Sequence, residues 1–367
     1  MKKTLCAFAI GATSIAPALT FAADVKVYGR AHVSLDYLND GKDYKEVALS
    51  SNSSRLGFKA EQKLANDMTA FAQIESQINF SSASDDSDSV NFSTRDTFVG
   101  LKGDFGQVKV GRFDSPFKAA RGPINFFGDM VGDLRTITRA YNHRFDERNP
   151  NTIEYKSPTF ADGFNIVGAL SLHNTTMIYD DETKDPNKKS KAYDLGVNYK
   201  KGPLNIASAY EHYQEDANRG KRDGIRLAAS YKITPELNIA GFYQYTSLSN
   251  DNLNSLSVQD QMRNADANVY GLGAAYQLTE KTSLRGQVFY RDVDAEKMNS
   301  TLISAGIEHK LDPAVRIYAN LASMMNDKNA NLVPWNQARS NAPGSSQGVD
   351  ASNENSLALS VGLRYDF

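Results

Sequence analysis

The feature that most constrains this chain is two-residue alternation with charges confined to one side of it. The last segment reads L-A-L-S-V-G-L-R-Y-D-F. Leu357, Leu359, Val361, Leu363, Tyr365 and Phe367 share one face, while Ala358, Ser360, Gly362, Arg364 and Asp366 share the other. That is a strand with a wholly apolar face. Val25, Val27, Ala31, Val33 and Leu35 likewise alternate with Lys26, Tyr28, Arg30, His32 and Ser34. Leu56 and Phe58 oppose Arg55 and Lys59, and Ile225 and Leu227 oppose Arg226 and Ala228. Leu284 and Val288 oppose Arg285 and Gln287, and Val315 and Ile317 oppose Arg316 and Tyr318. A dry sandwich core could not take so many charges. A water-filled lumen takes them readily, with the apolar face turned to lipid.

The amino terminus agrees with a journey to a membrane. Lys2 and Lys3 precede a small, apolar run at 5–16, and Thr20-Phe21-Ala22 supplies small residues for a signal peptidase. The expectation is a signal peptide at 1–22, cut after Ala22. The run is too short for a spanning helix. Losing Lys2 and Lys3 from 41 basic residues leaves 39 against 43 acidic, a net charge of −4 at 23–367. The only cysteine, Cys6, leaves with the leader, so disulfides contribute nothing to the exported chain.

Short links at 64–67, 103–106, 200–203, 234–236, 279–281 and 312–313 alternate with long polar ones at 39–53, 81–91, 174–190, 249–266 and 326–353. Short periplasmic turns and long external loops are the outer-membrane arrangement. Strands are expected to start near 24, 54, 68, 92, 107, 150, 164, 191, 204, 222, 237, 267, 282, 299, 314 and 355. The fold class is therefore all-β, a transmembrane antiparallel β-barrel of about sixteen strands, wide enough for an aqueous channel.

The residues V-K-V-Y-G-R at 25–30, S-S-R-L-G-F-K at 53–59, T-F-V-G-L-K-G-D-F-G-Q-V-K-V-G-R at 97–112, N-T-I-E-Y-K-S-P at 151–158 and the terminal V-G-L-R-Y-D-F are ordered as in a known family. The chain resembles the general porins of Gram-negative bacteria, of the neisserial and β-proteobacterial type. The resemblance implies a general diffusion porin in the outer membrane, a homotrimer whose barrels are each narrowed by an infolded third loop. It also implies that the C-terminal strand is read by the barrel-assembly machinery.

That third loop is 114–147. It carries Pro116, Phe117, Ile124, Phe126, Phe127, Met130 and Leu134, which need a surface to pack on; the inner wall is one, and the loop itself or a neighbouring subunit another. The resemblance places constriction arginines at Arg55, Arg95 and Arg148, opposed by loop carboxylates Asp129 and Asp133. Arg30, Lys59, Arg226, Arg285 and Arg316 are expected on the lumen wall. Arg95 shares parity with apolar Val99 and Leu101, so either a bulge turns it inward or it faces a subunit interface. Loop charge does not settle ion preference, because Lys118, Arg121, Arg135, Arg139 and Arg144 balance Asp114, Asp129, Asp133, Asp146 and Glu147; long arginine stems favour anions.

Other chemistry finds no support. His32, His143, His173, His212 and His309 have no ligand spacing, so no metal is expected. No hydrolase motif appears, and no cofactor or nucleic acid is implied. The acidic runs at 85–88 and 179–182 are read as solvated loops, with divalent cations near lipopolysaccharide as the sharper alternative. Two functions stay open beside general diffusion. One is a solute-specific channel, which needs an aromatic track such as Tyr28, Phe242, Phe289 and Tyr318 could offer. The other is an adhesin or phage receptor using the external loops at 174–190 and 326–353.

Overall fold

The computed structural model describes residues 24–64, 66–81, 95–172, 191–214, 221–249 and 257–367. The expected leader, both acidic runs and His173 lie outside the described residues. In chain order the strands are β1 Asp24–Asn39, β2 Lys45–Ser51, β3 Arg55–Lys63, β4 Thr69–Gln77, β5 Thr97–Gly103 and β6 Gly106–Asp114. Then come β7 Arg148–Lys156, β8 Phe164–Ser171, β9 Ala192–Lys201, β10 Leu204–Tyr213, β11 Lys221–Lys232 and β12 Leu237–Ser249. The last five are β13 Ala267–Gln277, β14 Thr282–Val293, β15 Ser300–Lys310, β16 Val315–Asn326 and β17 Asn355–Asp366.

All of them join one antiparallel sheet. It closes on itself: β17 pairs with β1 from Arg30↔Asp366 to Asn39↔Leu357, so no edge is left open. β2 and β3 both pair with β1, β2 along its upper half (Val33↔Ser51) and β3 along its lower half (Arg30↔Arg55). They are two halves of one wall strand, interrupted at Asn52–Ser54, and the barrel thus has sixteen staves.

β2 corrects the reading of 39–53 as a loop. Val47 and Leu49 face outward and are exposed, while Ala48 and Ser50 turn in, so the true link is only 40–44. Outward residues elsewhere follow the alternation, from Val25 and Val27 to Leu359 and Val361, all exposed. Tyr270 pairs with Tyr243 and Tyr290 on the loop side, and Tyr276 lies near the turn side. Tyr365 and Phe367 stack outside the last strand, with ring centroids 5.4 Å apart. Such aromatic belts mark the two membrane interfaces.

A second correction concerns 327–354. The segment does not stand away from the barrel but folds into its mouth. Trp335 is 0% exposed and clusters with Leu38, Val131, Val333 and Ala358. The Gly132 N–H donates to Pro334 O at 2.7 Å, Asn331 N–H donates to the Tyr141 hydroxyl at 2.8 Å, and Arg339 forms a fully buried pair with Asp36 on β1. Its apolar run L-V-P-W needed a surface, and the third loop supplies it.

Candidate functional site

The segment between β6 and β7 enters the lumen and leans on one side of it. Ser115 accepts the Lys118 N–H and caps a short helix, α1 Pro116–Ala119, that begins on a proline suited to the first turn. Phe117 lies against Phe145, Ala207, Ala209 and Tyr213. Ile124, Leu134 and Ile137 pack on Phe242, Phe289, Leu302 and Met324 of the wall. Polar clamps hold the same side. Arg226 forms a buried ion pair with Asp146 and donates to Phe117 O at 2.9 Å; Gln244 donates to Thr138 O at 2.9 Å. Gln287 donates to Gly132 O at 2.7 Å and Arg285 to Phe126 O at 2.9 Å. Gly132 has φ +79, and a Cβ there would collide with the Ser304 side chain, so only glycine fits this close approach.

The opposite side of the loop is wet. A cavity of about 730 Å³ lies between the loop tip and the inner faces of β1, β3, β4, β6, β7 and β14–β17. Asp129 sits at the tip in a left-handed conformation, φ 65, which an aspartate tolerates. Its N–H donates to Asp133 Oδ2 at 2.8 Å, and Arg135 at the start of α2 Arg135–Thr138 bridges Asp129 (2.8 Å) and Asp133 (2.5 Å). Burial alone would raise the Asp129 pKa. The guanidiniums of Arg135, Arg55, Arg121 and Arg30 outweigh it and hold the carboxyl well below the usual range.

The expected residues separate into two groups. Arg30, Arg55, Lys59, Arg95, Arg148, Arg285, Arg316 and Asp129 all line the cavity. Arg95 lies outside the ladder of β5: its N–H bonds Glu75 O at 3.1 Å, its side chain meets Glu75 Oε1 at 2.5 Å, and neighbouring Asp96 also lines the cavity. Arg95 and Asp96 precede β5 and so escape its alternation, and both line the cavity. Arg148 pairs with Asp96 at 2.5 Å and Asp114 at 2.8 Å, and Arg55 stands 3.9 Å from Glu75. Two expectations differ from the structure. Asp133 is fully buried behind the tip, where it holds Asp129 N–H and Arg135. Arg226 points inward but is sealed beneath the loop by Asp146, Phe117 and Gln244, so it anchors and does not meet the open lumen.

Arg364 and Asp366, placed on the polar face of the last strand by its alternation, do line the cavity, while Glu75 and Glu308, at inward parity on their strands, were not singled out. Lys118, Arg121 and Arg135 belong to the loop, where no period exists to read. The proposed aromatic track does not form: Phe242, Phe289 and Tyr318 are 7%, 0% and 3% exposed. Among the described residues no group of His, Cys, Asp and Glu could hold a metal ion.

A closed barrel with a lipid-facing exterior, wrapped around a wet and charged aperture, defines a channel of the outer-membrane type. A family model described as Gram-negative porin matches residues 6–329. The chain belongs to the Gram-negative porin family, and with it to the outer membrane. It is 25% identical over 306 residues to the major outer membrane protein P.IB of Neisseria gonorrhoeae, covering 79% of each chain. The P.IB protein of Neisseria meningitidis serogroup B is 29% identical over 244 residues, 63% of this chain and 66% of that one. That of Neisseria sicca is 28% identical over 207 residues, and the chain spans about half of it, 55%. Among solved structures, Salmonella typhi OmpF in complex with daunomycin aligns with TM-score 0.67 at 15% identity, over 94% of this chain and 97% of that one. A loop L8 deletion mutant of Vibrio cholerae OmpT aligns with TM-score 0.65 at 16% identity, over 94% and 100%. At such identity the likeness is one of fold.

Proposed function

We propose that this chain forms a general diffusion pore for ions and small hydrophilic solutes, with preference for anions. The observation that carries the preference is the lining of the cavity: eleven Lys and Arg side chains against six carboxylate side chains. The whole chain has the opposite sign, net −2, so the basic lining is local to the aperture. Cations on the wall and Asp129 on the loop set a transverse field that orients a passing solute and admits anions more readily. No step of bond making is required.

The reading is tested by planar-bilayer reversal potential in a potassium chloride gradient. A permeability ratio above one for chloride over potassium supports it, and a ratio at or below one overturns the anion preference. A protein that inserts without conducting overturns the pore. Saturable block by one solute would favour a specific channel instead, but the buried Phe242 and Phe289 leave no aromatic track. An adhesin or phage-receptor role loses one of its two loops, since 327–354 is tucked in.

Assembly as a homotrimer, contact with lipopolysaccharide and recognition of the C-terminal strand by the assembly machinery belong to the same reading. Conductance steps arriving in threes support the trimer. Removal of 1–22 is checked by N-terminal sequencing of the exported protein, with Ala23 expected first.

A further inference from the structure

The lumen carries a charge cluster that spans the seam where the barrel closes. Asp366, the penultimate residue, sits on β17 and pairs in register with Arg30 on β1. Arg30 Nε approaches Asp366 Oδ1 at 2.7 Å. Arg364 reaches Oδ2 at 2.8 Å, and Arg316 on the neighbouring strand reaches the same oxygen at 3.4 Å. Three guanidiniums from three adjacent strands therefore converge on one carboxylate, and all four groups line the cavity. Glu308 is shared between Arg316 at 3.6 Å and Arg285 at 3.3 Å, and Arg30 also reaches across to Asp129 on the loop tip at 3.4 Å. Within 4 Å Asp366 thus meets three arginines, where Glu308 and Asp129 each meet two.

We propose that Asp366 is a specificity-determining residue of the pore, holding down the anion preference that Arg30, Arg316 and Arg364 would otherwise exert. The inference rests on the pore reading above. Its side chain keeps 31% of its surface open, so it meets the solution in the aperture as well as its partners. A carboxylate in a narrow, water-filled passage with low-dielectric walls acts on passing ions at a range of several ångströms. Its loss leaves Arg364 and Arg316 without the nearest counter-charge and strengthens the field that favours anions. The outward neighbour Tyr365 is exposed on the apolar face, so adjacent residues of the last strand divide between membrane anchoring and ion discrimination.

The test places a single thiol at the position. In a Cys6→Ser background, Asp366→Cys is the only cysteine of the chain. The refolded protein is studied in bilayers before and after reaction with a methanethiosulfonate that carries either a sulfonate or a quaternary ammonium. Before labelling, the chloride-to-potassium permeability ratio should rise on the order of twofold over the parent. The sulfonate label should return it toward the parent value, and the ammonium label should lift it further. Equal ratios for the two labels overturn the proposal, as does a shift of the same sign for both, which would mark a steric effect. If the cysteine variant fails to refold, Asp366→Asn keeps shape without charge and should show the same rise, with Asp366→Glu at the parent ratio. An Asp366→Asn ratio equal to the parent overturns the proposal. Because each shift is read against the parent channel, a parent that prefers cations would sink the anion reading while leaving this one decidable.

Discussion

The two sides of the infolded loop are built from opposite chemistry. Toward the part of the wall formed by Phe242, Val269, Phe289 and Leu302 it presents Ile124, Leu134 and Ile137, and the Arg226–Asp146 pair beside them is fully buried. Toward β1, β3, β4, β6, β7 and β17 it presents Asp129, Lys118 and Arg121 to an open cavity whose other wall is mostly arginine. The first side fixes where the loop lies, and on the proposed reading the second decides what passes it. Position and discrimination are thus separable, and mutations should separate them.

The largest effect is expected from Arg226→Ala, which leaves Asp146 in a dry site with only the weaker Arg121 contact at 3.6 Å. Breaking a buried pair from one side costs about 3–5 kcal/mol. Thermal unfolding should fall markedly and single-channel current should become noisy, because the loop loses its clamp. Next comes Ile137→Ala, which opens a cavity under the loop at a cost of about 2–5 kcal/mol. It should flicker while keeping the parent ion preference; an altered preference with a quiet current would break the division between the two sides.

On the wet side, the double variant Arg30→Gln with Arg148→Gln should lower the chloride-to-potassium permeability ratio about threefold. Its unfolding temperature should move less than that of Arg226→Ala. The smallest effect is one of pH. Burial pushes the Lys118 ammonium down to about 8, against the pull of Asp114. The group is charged below that value and neutral above it, so anion preference should decline between pH 7 and pH 9.5. Reversal potentials across that range measure it, and Lys118→Met should flatten the decline.

Most of the wall was legible because burial on a barrel stave repeats every second residue. Leu359 and Val361 outward with Ser360 inward need no further information. The reading failed where the period is broken or absent. Residues 45–51 carry the alternation, but their polar flanks concealed it. Arg95 lies just before β5 begins at Thr97, outside the strand whose alternation was used to read it. Inside the loop, Asp129 and Asp133 look equivalent in F-F-G-D-M-V-G-D. The turn then places one in the aperture and the other behind it, bound to Asp129 N–H and Arg135. A long-range choice of neighbours decided that difference.

The strap at 327–354 also changes what the cell displays. A segment of that length, with eleven residues from Asn331 to Asn341, would ordinarily be taken as reach beyond the membrane surface. Here its tryptophan is spent on the third loop, and its arginine on a carboxylate of the first strand. From this strap, antibodies and proteases approaching from outside meet only exposed turns such as 345–348. Sequence length between two staves is therefore a poor measure of how far this protein extends from the cell.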